Sequence, residues 1–337
     1  MEIKEITGNG QVSGQYLILE NQIRTAKNGS SYLAMKIGDQ TGTLAVKIWH
    51  ADNELFQSLE VGKVIELKNI HAKTFKDQIQ LEWEGNNTNA FKLISDAEVD
   101  YSKLVLRSPG NLTEYWRFLC EQIQTIQDPR LRKVLAIFFE DEAFAAQFRI
   151  APAALKRHHA YIGGLLEHTA GVMALCKAAA DYYPLVNRDL LLSGAMLHDI
   201  GKVKTYQMEK NIEGTDEGKL IGHLILGVQM VEAALSKALS GEEDTEDNNR
   251  LKNGLLHLLV SHHGIMEWGS PIEPLTVEAC ILHHADNMDA QVQKFLSLIR
   301  GHHSDNPWVP YDPGLGKSIF LGGLADKNSK QDISEGA

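Results

Sequence analysis

The sequence predicts a multi-domain protein of the α and β class, in which a small β-barrel is followed by an all-helical domain. Short β-type segments separated by turn residues occupy the first 90 positions. From residue 112 onwards, apolar residues recur instead at the three- and four-residue spacing of amphipathic helices. With 337 residues, the chain is long enough for two domains that each bury a hydrophobic core.

The first domain, residues 1–90, has five segments that are typical of strands: 15–23, 31–37, 43–49, 63–75 and 78–83. A short helical pattern over 51–59 separates the third segment from the fourth. Five strands with a helix in this position have the order of an OB-fold barrel. We therefore expect a five-stranded OB-fold β-barrel at the start of the chain.

The stretch NGSSYLAMKIGDQTGTLAVKIWH, residues 28–50, resembles OB-fold domains that bind single-stranded nucleic acid. Grooves of that kind combine aromatic platforms for the bases with cations that follow the phosphate backbone. The candidates are the aromatic residues Tyr32, Trp49, Phe75 and Trp83 and the cations Arg24, Lys27, Lys36, Lys47 and Lys73. Aromatic side chains in a small barrel belong more often to its core than to a stacking surface, so both interpretations stay open for each residue.

Residues 91–150 are expected to form a helical connector that packs on the second domain. The apolar spacing predicts helices over 112–126 and 129–139, joined at Gln127-Asp128, and a shorter helix over 144–150. No motif in this stretch indicates chemistry.

The second domain, residues 151–300, is predicted to be helical and to carry metal-binding residues on apolar helix faces. The metal-binding candidates are His168 in a helix over 165–180, His198-Asp199 at the end of a helix from 190, and Asp286 in a helix over 275–299. Aspartate is almost never fully buried without a partner, and imidazole with carboxylate suits a divalent metal ion. A lone buried histidine is usually an ordinary core residue, so the indication comes from the joint occurrence.

This pattern resembles the HD-domain superfamily of metal-dependent phosphohydrolases, whose signature is H…HD…D in that order. The matching residues are His168, His198, Asp199 and Asp286. The resemblance implies that these four hold one divalent ion and that Asp199 bridges to a second ion where one is present. His223 and His262 are then either further ligands or phosphate contacts, and His263 is a weaker ligand candidate that we assign to substrate binding. We expect one or two ions per site, Mn²⁺ first, with Co²⁺, Fe²⁺, Zn²⁺ or Mg²⁺ as alternatives.

A closer resemblance covers nearly the whole chain. The two domains in this order, with HHAYIGGLLEHT, LHDIGK, GHLILG, SHHG, EWGSPIEPLTVEA and LHHADNMDA, are similar to the YhaM family of bacterial 3′→5′ exoribonucleases. The resemblance implies that single-stranded RNA, and single-stranded DNA as a further substrate, is hydrolysed to nucleoside 5′-monophosphates. HD domains that cleave cyclic dinucleotides carry Gly-Tyr-Pro after their paired histidines, whereas this chain has Gly269-Ser270-Pro271, which counts against that activity.

Catalytic roles are expected for His198, Asp199 and Lys202. Lys202 lies one turn after His198, where its charge would stabilise a phosphoryl transition state. As a cation at a helix C-terminus it has an equally good structural explanation. A basic run before the first ligand helix is either a phosphate contact or a solvated turn; its members are Lys156, Arg157, His158 and His159.

Two other functions remain compatible with the sequence. One is an HD phosphohydrolase that acts on free nucleotides, and the other is a non-catalytic nucleic-acid-binding protein with a metal-stabilised helical domain. The net charge of −11 argues against an extended nucleic-acid surface but leaves room for a local groove.

Composition predicts a cytoplasmic protein without a membrane partner. The start MEIKEITGNGQ lacks the features of a signal peptide, and no stretch approaches the ~18 apolar residues that cross a bilayer. Cys120, Cys176 and Cys280 show no CxxC spacing and are expected to be reduced thiols. Residues 301–337 are expected to form a C-terminal arm, over the active site or onto another subunit of a homo-oligomer, and a disordered tail.

Overall fold

The structure, a computed structural model, describes residues 1–8, 10–26, 29–75, 78–87, 89–155, 159–208, 212–241, 245–300, 302 and 306–322. These residues form two compact units. One is Met1–Pro109 together with the chain from Phe295 onwards, and the other is Gly110–Lys294. Within the described ranges, none of the helices combines the length and the apolar character that crossing a bilayer requires.

The first unit contains a closed β-barrel of five strands with a sixth strand beside it. Its elements are β1 (Gln11–Thr25), β2 (Ser31–Asp39), β3 (Gly42–Trp49), α1 (Asn53–Ser58), β4 (Val64–Phe75), β5 (Gln78–Glu84) and β6 (Phe91–Ile94). The strand order is β1-β2-β3-β5-β4-β6, and β1 also pairs with β4, which closes the barrel. The pair β3–β5 is parallel and the other pairs are antiparallel. The predicted five-stranded OB-fold barrel is confirmed.

Strand alternation sorts the side chains of β2 and β3 between the core and the outer surface. Leu33, Met35 and Ile37 of β2 are buried in the barrel, as are Leu44, Val46 and Ile48 of β3. The residues between them point outward, and Tyr32 is paired with Trp49 there. Two of the stacking candidates, Tyr32 and Trp49, therefore lie next to each other on the outer surface of the barrel.

Two details of this unit differ from the sequence prediction. Phe91–Ile94 was expected in the helical connector but forms β6, which pairs with β4. Four residues are too few to show an alternating pattern. Trp83 was a candidate for base stacking, but it lies in the barrel core with 7% of its surface exposed, because it shares the inward parity of β5 with Leu81.

The C-terminal segment that was expected to be an irregular arm contains a hairpin. Strands β9 (Trp308–Asp312) and β10 (Lys317–Phe320) pair in antiparallel fashion, and the rings of Trp308 and Phe320 lie 4.7 Å apart. The predicted disordered tail, the last dozen residues, lies outside the described residues.

The described part of the second unit consists of helices and a short hairpin with their connecting turns. Its elements are α2 (Leu112–Thr125), α3 (Pro129–Phe139), α4 (Glu142–Ile150), α5 (Gly164–Tyr182), α6 (Arg188–Leu197), α7 (Lys202–Thr205), β7 (Tyr206–Met208), β8 (Ile212–Gly214), α8 (Asp216–Leu220), α9 (His223–Ala238) and α10 (Glu246–Ser261). The last helix, α11 (Val277–Arg300), continues past the end of the unit. Leu119 of α2, Val134 of α3 and Phe148 of α4 belong to the same hydrophobic core as α5 and α6.

Side-chain caps fix where several of these helices begin. Asp128 accepts hydrogen bonds from the N–H groups of Arg130 and Leu131, and Pro129 follows it at the first helical position. Asn187 caps α6 in the same way through Leu190. Such caps satisfy N–H groups that have no partner within the helix.

The buried carboxylate of Asp39 ties the N-terminal segment to the barrel, so we expect Asp39→Ala to destabilise it. Asp39 Oδ2 accepts from the N–H of Ile3 at 2.7 Å, and Oδ1 accepts from the N–H groups of Thr41 and Gly42 at 2.7 and 3.1 Å. Loss of these bonds should lower the free energy of unfolding by about 1–3 kcal/mol in urea denaturation. The exposed Glu54→Ala on α1 is the control, and an equal loss in both variants would contradict the assignment.

Candidate metal centre

Four side chains from three helical segments converge in the interior of the second unit. His168 Nε2 on α5 lies 3.2 Å from His198 Nε2 and 3.4 Å from Asp199 Oδ2, both just beyond the last residue of α6. The same nitrogen lies 3.1 Å from Asp286 Oδ1 on α11. His168, His198 and Asp199 are almost fully buried. These atoms form the first cluster, which holds the residues that the sequence proposed as H…HD…D.

The second cluster lies on the other side of the Asp199 carboxylate. His223, the first residue of α9, has its Nε2 3.2 Å from Nε2 of His263 and 3.5 Å from Asp199 Oδ1. His262 Nε2 lies 3.7 Å from the same oxygen. Asp199 therefore faces the first cluster with Oδ2 and the second with Oδ1. The sequence assigned His263 to substrate binding and kept it as a weaker ligand candidate; in the structure its ring nitrogen lies within 4.8 Å of those of His223 and His262, which favours the ligand role.

Hydrogen bonds at Nδ1 fix the tautomer of these imidazoles. His198 Nδ1 lies 2.8 Å from the carbonyl oxygen of Ala195, and His262 Nδ1 lies 2.7 Å from that of Leu259. His263 Nδ1 is 2.8 Å from the carbonyl oxygen of Trp268. A carbonyl oxygen can only accept, so each Nδ1 carries the hydrogen and each Nε2 turns a lone pair towards the cluster. This is the arrangement that metal-binding histidines adopt.

Two buried atoms of the centre lack the partners that buried polar atoms normally have. Among the described residues, Asp199 Oδ1 and His262 Nε2 are buried without a hydrogen-bond partner. Buried polar atoms are costly unless they are paired. Both are lone-pair donors that face the space between the histidines, so the donor set fits a divalent cation.

The balance of burial and neighbouring charges favours an ionised Asp199 and neutral forms of His223 and His263. Burial opposes ionisation of Asp199, but Lys202 and His198 hold the pKa of its carboxyl well below the ordinary value. Burial and the charge of Lys202 lower the pKa of His223 strongly. Burial and the neighbouring His262 lower the pKa of His263 to about 4. Neutral imidazoles keep the lone pair that a metal ion needs.

Lys202 is paired directly with the central carboxylate. Its Nζ lies 2.5 Å from Asp199 Oδ2, and the ammonium group is mostly buried. Burial would lower the pKa of Lys202, but the adjacent Asp199 raises it. Lys202 therefore stays charged and lines the same cavity as His168 and Asp286.

Gly201 lets the loop after Asp199 press against α9. A Cβ atom at this position would lie 2.1 Å from the carbonyl oxygen of His223 and 2.6 Å from the backbone nitrogen of Gly227. No side chain fits there without moving α9. The distance between Asp199 and His223 is thus set by direct backbone contact.

A buried polar network stands behind His168. Asp289 Oδ2 accepts from His168 Nδ1 at 2.6 Å and from His159 Nε2 at 2.9 Å. His159 Nδ1 is 2.9 Å from the Tyr161 hydroxyl, which donates to Glu167 Oε2 at 2.7 Å. Such outer partners fix the orientation of a ligand histidine and increase its basicity. The sequence proposals did not include Asp289, although its position three residues after Asp286 in one helix places both on one face.

The basic run expected to contact phosphate is only partly described. His159 is buried with 1% of its surface exposed and takes part in the Asp289 network, so the expected phosphate contact is replaced by a role behind a ligand. His159 has a positive φ and is buried, and a run of basic residues in the sequence reveals neither property. Lys156, Arg157 and His158 lie outside the described residues.

Comparison with known proteins agrees with this arrangement. The HD domain model matches residues 165–291. The 3′-5′ exoribonuclease YhaM of Bacillus velezensis is 32% identical over 288 residues, which cover 84% of this chain and 86% of that protein. The YhaM protein of Bacillus subtilis is 32% identical over 287 residues, covering 84% and 86%, and that of Listeria monocytogenes serotype 4b is 31% identical over 297 residues, covering 86% and 89%.

The chain belongs to the YhaM family. The family membership and the order of barrel and HD domain predicted from the sequence are confirmed. The HD domain implies a divalent metal ion, in agreement with the histidine and aspartate clusters described above.

We expect Asp289→Asn to weaken metal binding, because the amide carries no charge to hold His168 and His159. The apparent affinity for Mn²⁺, measured by calorimetric titration, should fall about 10- to 100-fold. Gly171→Ala tests the same carboxylate without removing it, since a Cβ there would lie 2.3 Å from Asp289 Oδ1. Asp181→Asn, exposed on α5, serves as the control. Unchanged affinity in both test variants would rule out this role.

Proposed function

We propose that the chain is a metal-dependent 3′-to-5′ exoribonuclease that releases nucleoside 5′-monophosphates from single-stranded RNA. The observation that carries this proposal is the Asp199 carboxylate, whose two oxygens face two separate sets of ligand atoms. Its relatives named 3′-5′ exoribonuclease match it over most of their length, which supports the same reaction here.

We assign the two clusters to two metal ions. One ion would be held by His168, His198 and Asp286 with Asp199 Oδ2. The other would be held by His223, His262 and His263 with Asp199 Oδ1. Divalent ions in such a site lower the pKa of a bound water molecule and polarise phosphoryl oxygens.

Lys202 would act on the scissile phosphate. Its ammonium group lies beside Asp199 in a mostly buried position, where a charge interacts more strongly than it does in water. A fixed cation at this place stabilises the negative charge that develops on the phosphoryl oxygens. The pair with Asp199 keeps the amine protonated and in position before the substrate binds.

The outer surface of the barrel would bind the single strand. The rings of Tyr32 and Trp49 lie 4.9 Å apart, and Lys47 Nζ lies 4.6 Å from the ring centre of Phe75. Arg24 is the strand partner of Tyr32. In OB folds, strands 2 and 3 form the oligonucleotide-binding face, and stacking combined with charge binds single strands with little sequence preference.

The proposed cations differ in what surrounds them. Lys36 Nζ lies 3.9 Å from Glu20, Lys73 Nζ lies 3.4 Å from Glu82 and Lys47 Nζ lies 4.0 Å from Glu82, so each has a carboxylate that competes with phosphate. Lys27 lies outside the described residues. Lys47 has the strongest support among them because it lies against two of the aromatic rings.

We infer further that Mn²⁺ occupies the site and that single-stranded DNA is also degraded. The imidazoles of the two clusters suit Fe²⁺ and Zn²⁺, and the carboxylates of Asp199 and Asp286 beside them suit Mn²⁺. A cytoplasmic location is supported by the three free cysteines. A homo-oligomer is supported by exposed apolar side chains such as Tyr182, Leu185 and Leu275.

Removing ligands should remove metal and activity together. The wild-type protein should bind two Mn²⁺ ions per chain and shorten 5′-labelled RNA from its 3′ end, whereas His262→Ala should keep one ion. His198→Ala combined with Asp199→Ala should abolish cleavage. Elemental analysis and gel analysis of the products measure the two effects, with the exposed His284→Ala as the control. Cleavage at the wild-type rate by the double variant would disprove the site, and phosphate release from free nucleotides without RNA cleavage would indicate the rival phosphohydrolase.

The barrel surface can be tested separately from the metal centre. Trp49→Ala should weaken binding of a single-stranded oligoribonucleotide, because stacking on an aromatic ring contributes about 1–3 kcal/mol per base. Lys47→Ala should weaken binding less at high salt than at low salt, since its contribution is electrostatic. Fluorescence anisotropy measures both affinities. The exposed Lys68→Ala is the matched control, and an equal loss there would point to a general charge effect.

A further inference from the structure

We infer that Trp268 forms a subsite beside the metal centre, on which the base of the 3′-terminal nucleotide stacks. This inference rests on the proposed exoribonuclease function and adds to it the place of the base. Trp268 ends the short 3₁₀ turn Met266–Trp268, which follows the histidines of the second cluster. None of the roles assigned above uses its indole ring.

Trp268 lines the same cavity as the metal centre. His168, Asp199, Lys202 and Asp286 contribute to the walls of this cavity together with Trp268. About half of the tryptophan, 53% of its surface, remains exposed to solvent. A large apolar ring that is half exposed and continuous with a phosphate-binding site is placed to cover a flat apolar group of the same ligand.

The size of the cavity leaves the base outside it. Its volume is about 170 Å³, whereas pockets that enclose a whole small molecule measure roughly 300–1,000 Å³. The phosphodiester group must approach the buried carboxylate and histidines to react. The base attached to the same sugar then lies near the rim, where the indole face of Trp268 is available.

Residues on one face of α11 extend the cavity wall beyond the metal ligands. His283, Asn287 and Ala290 follow each other at spacings of four and three residues, and all three line the cavity. The rings of Trp268 and His283 lie 6.1 Å apart. The rim therefore combines two aromatic rings with one amide side chain, a surface that can accept any base by stacking.

The loop that carries Trp268 is fixed before substrate binds. The carbonyl oxygen of Trp268 accepts from His263 Nδ1 at 2.8 Å, and the backbone N–H of Trp268 donates to the carbonyl oxygen of Ile265 at 3.1 Å. Ser270 Oγ donates to the carbonyl oxygen of Val260 at 2.9 Å. A preorganised ring binds with less loss of conformational entropy than a mobile one.

Because Trp268 makes these bonds through its backbone, its side chain can be mutated without removing them. The group that holds His263 is the backbone carbonyl of Trp268, which Trp268→Ala retains. Truncation of the indole ring therefore removes the stacking surface and leaves the orientation of a metal ligand in place. Trp268→Phe keeps a smaller ring, and Met266→Ala truncates an exposed side chain of the same turn that does not line the cavity.

The experiment compares two single-stranded RNA substrates that differ only in whether the 3′-terminal nucleotide has a base or is abasic. On the normal substrate, Trp268→Ala should lower kcat/KM roughly 5- to 150-fold, the effect of losing about 1–3 kcal/mol of stacking. On the abasic substrate, it should cleave at the rate of the wild-type protein. Trp268→Phe should lose less than Trp268→Ala, and Met266→Ala should behave as the wild type on both substrates.

A binding measurement gives a second readout that does not depend on turnover. Calorimetric titration with adenosine 5′-monophosphate should show weaker binding to Trp268→Ala, whereas ribose 5-phosphate should bind equally to both proteins. Metal content should be unchanged. Equal losses on the normal and abasic substrates, or an unchanged affinity for adenosine 5′-monophosphate, would overturn the subsite. A wild-type protein that fails to cleave RNA would instead refute the proposed function, and the nucleotide titration would still decide whether the base contacts Trp268.

Discussion

The buried carboxylate of Asp199 is the constraint on which the helical unit depends. Both of its oxygens face imidazole nitrogens, and Lys202 supplies a neighbouring positive charge. A charge in the protein interior is tolerated only when it is paired. The helices that carry these partners must therefore meet at one point, and their apolar faces pack around it. Both the stability of the unit and metal binding thus require the same packing of α5, α6, α9, α10 and α11.

Much of the architecture could be predicted because it depends on local sequence patterns. The strand segments and turns of the barrel and the apolar spacing of the helices lie within short stretches of sequence. His168 and Asp286 were found because each interrupts an apolar face. The family motifs then supplied the order of the ligands, and the structure brings them within a few ångströms of one another.

What could not be predicted depends on contacts between distant segments. Asp289 and His159 are separated by 130 positions, and the pattern around His159 was that of a basic surface turn. The sequence left Trp83 open between the core and the surface, because the inward or outward direction of residues on β5 is clear only once the register with the neighbouring strands is known. The cavity wall formed by Trp268 arises from a loop whose shape is determined by Gly269 and by hydrogen bonds to the preceding helix.

The backbone contact at Gly201 has a consequence for recognising enzymes of this kind. Any larger residue there would push His223 away from Asp199 and open the second cluster while every ligand residue remained in the sequence. A chain with the full H…HD…D pattern but a larger residue at this position would need α9 in a different place. The four signature residues therefore do not by themselves define the second cluster, which depends also on the backbone between them.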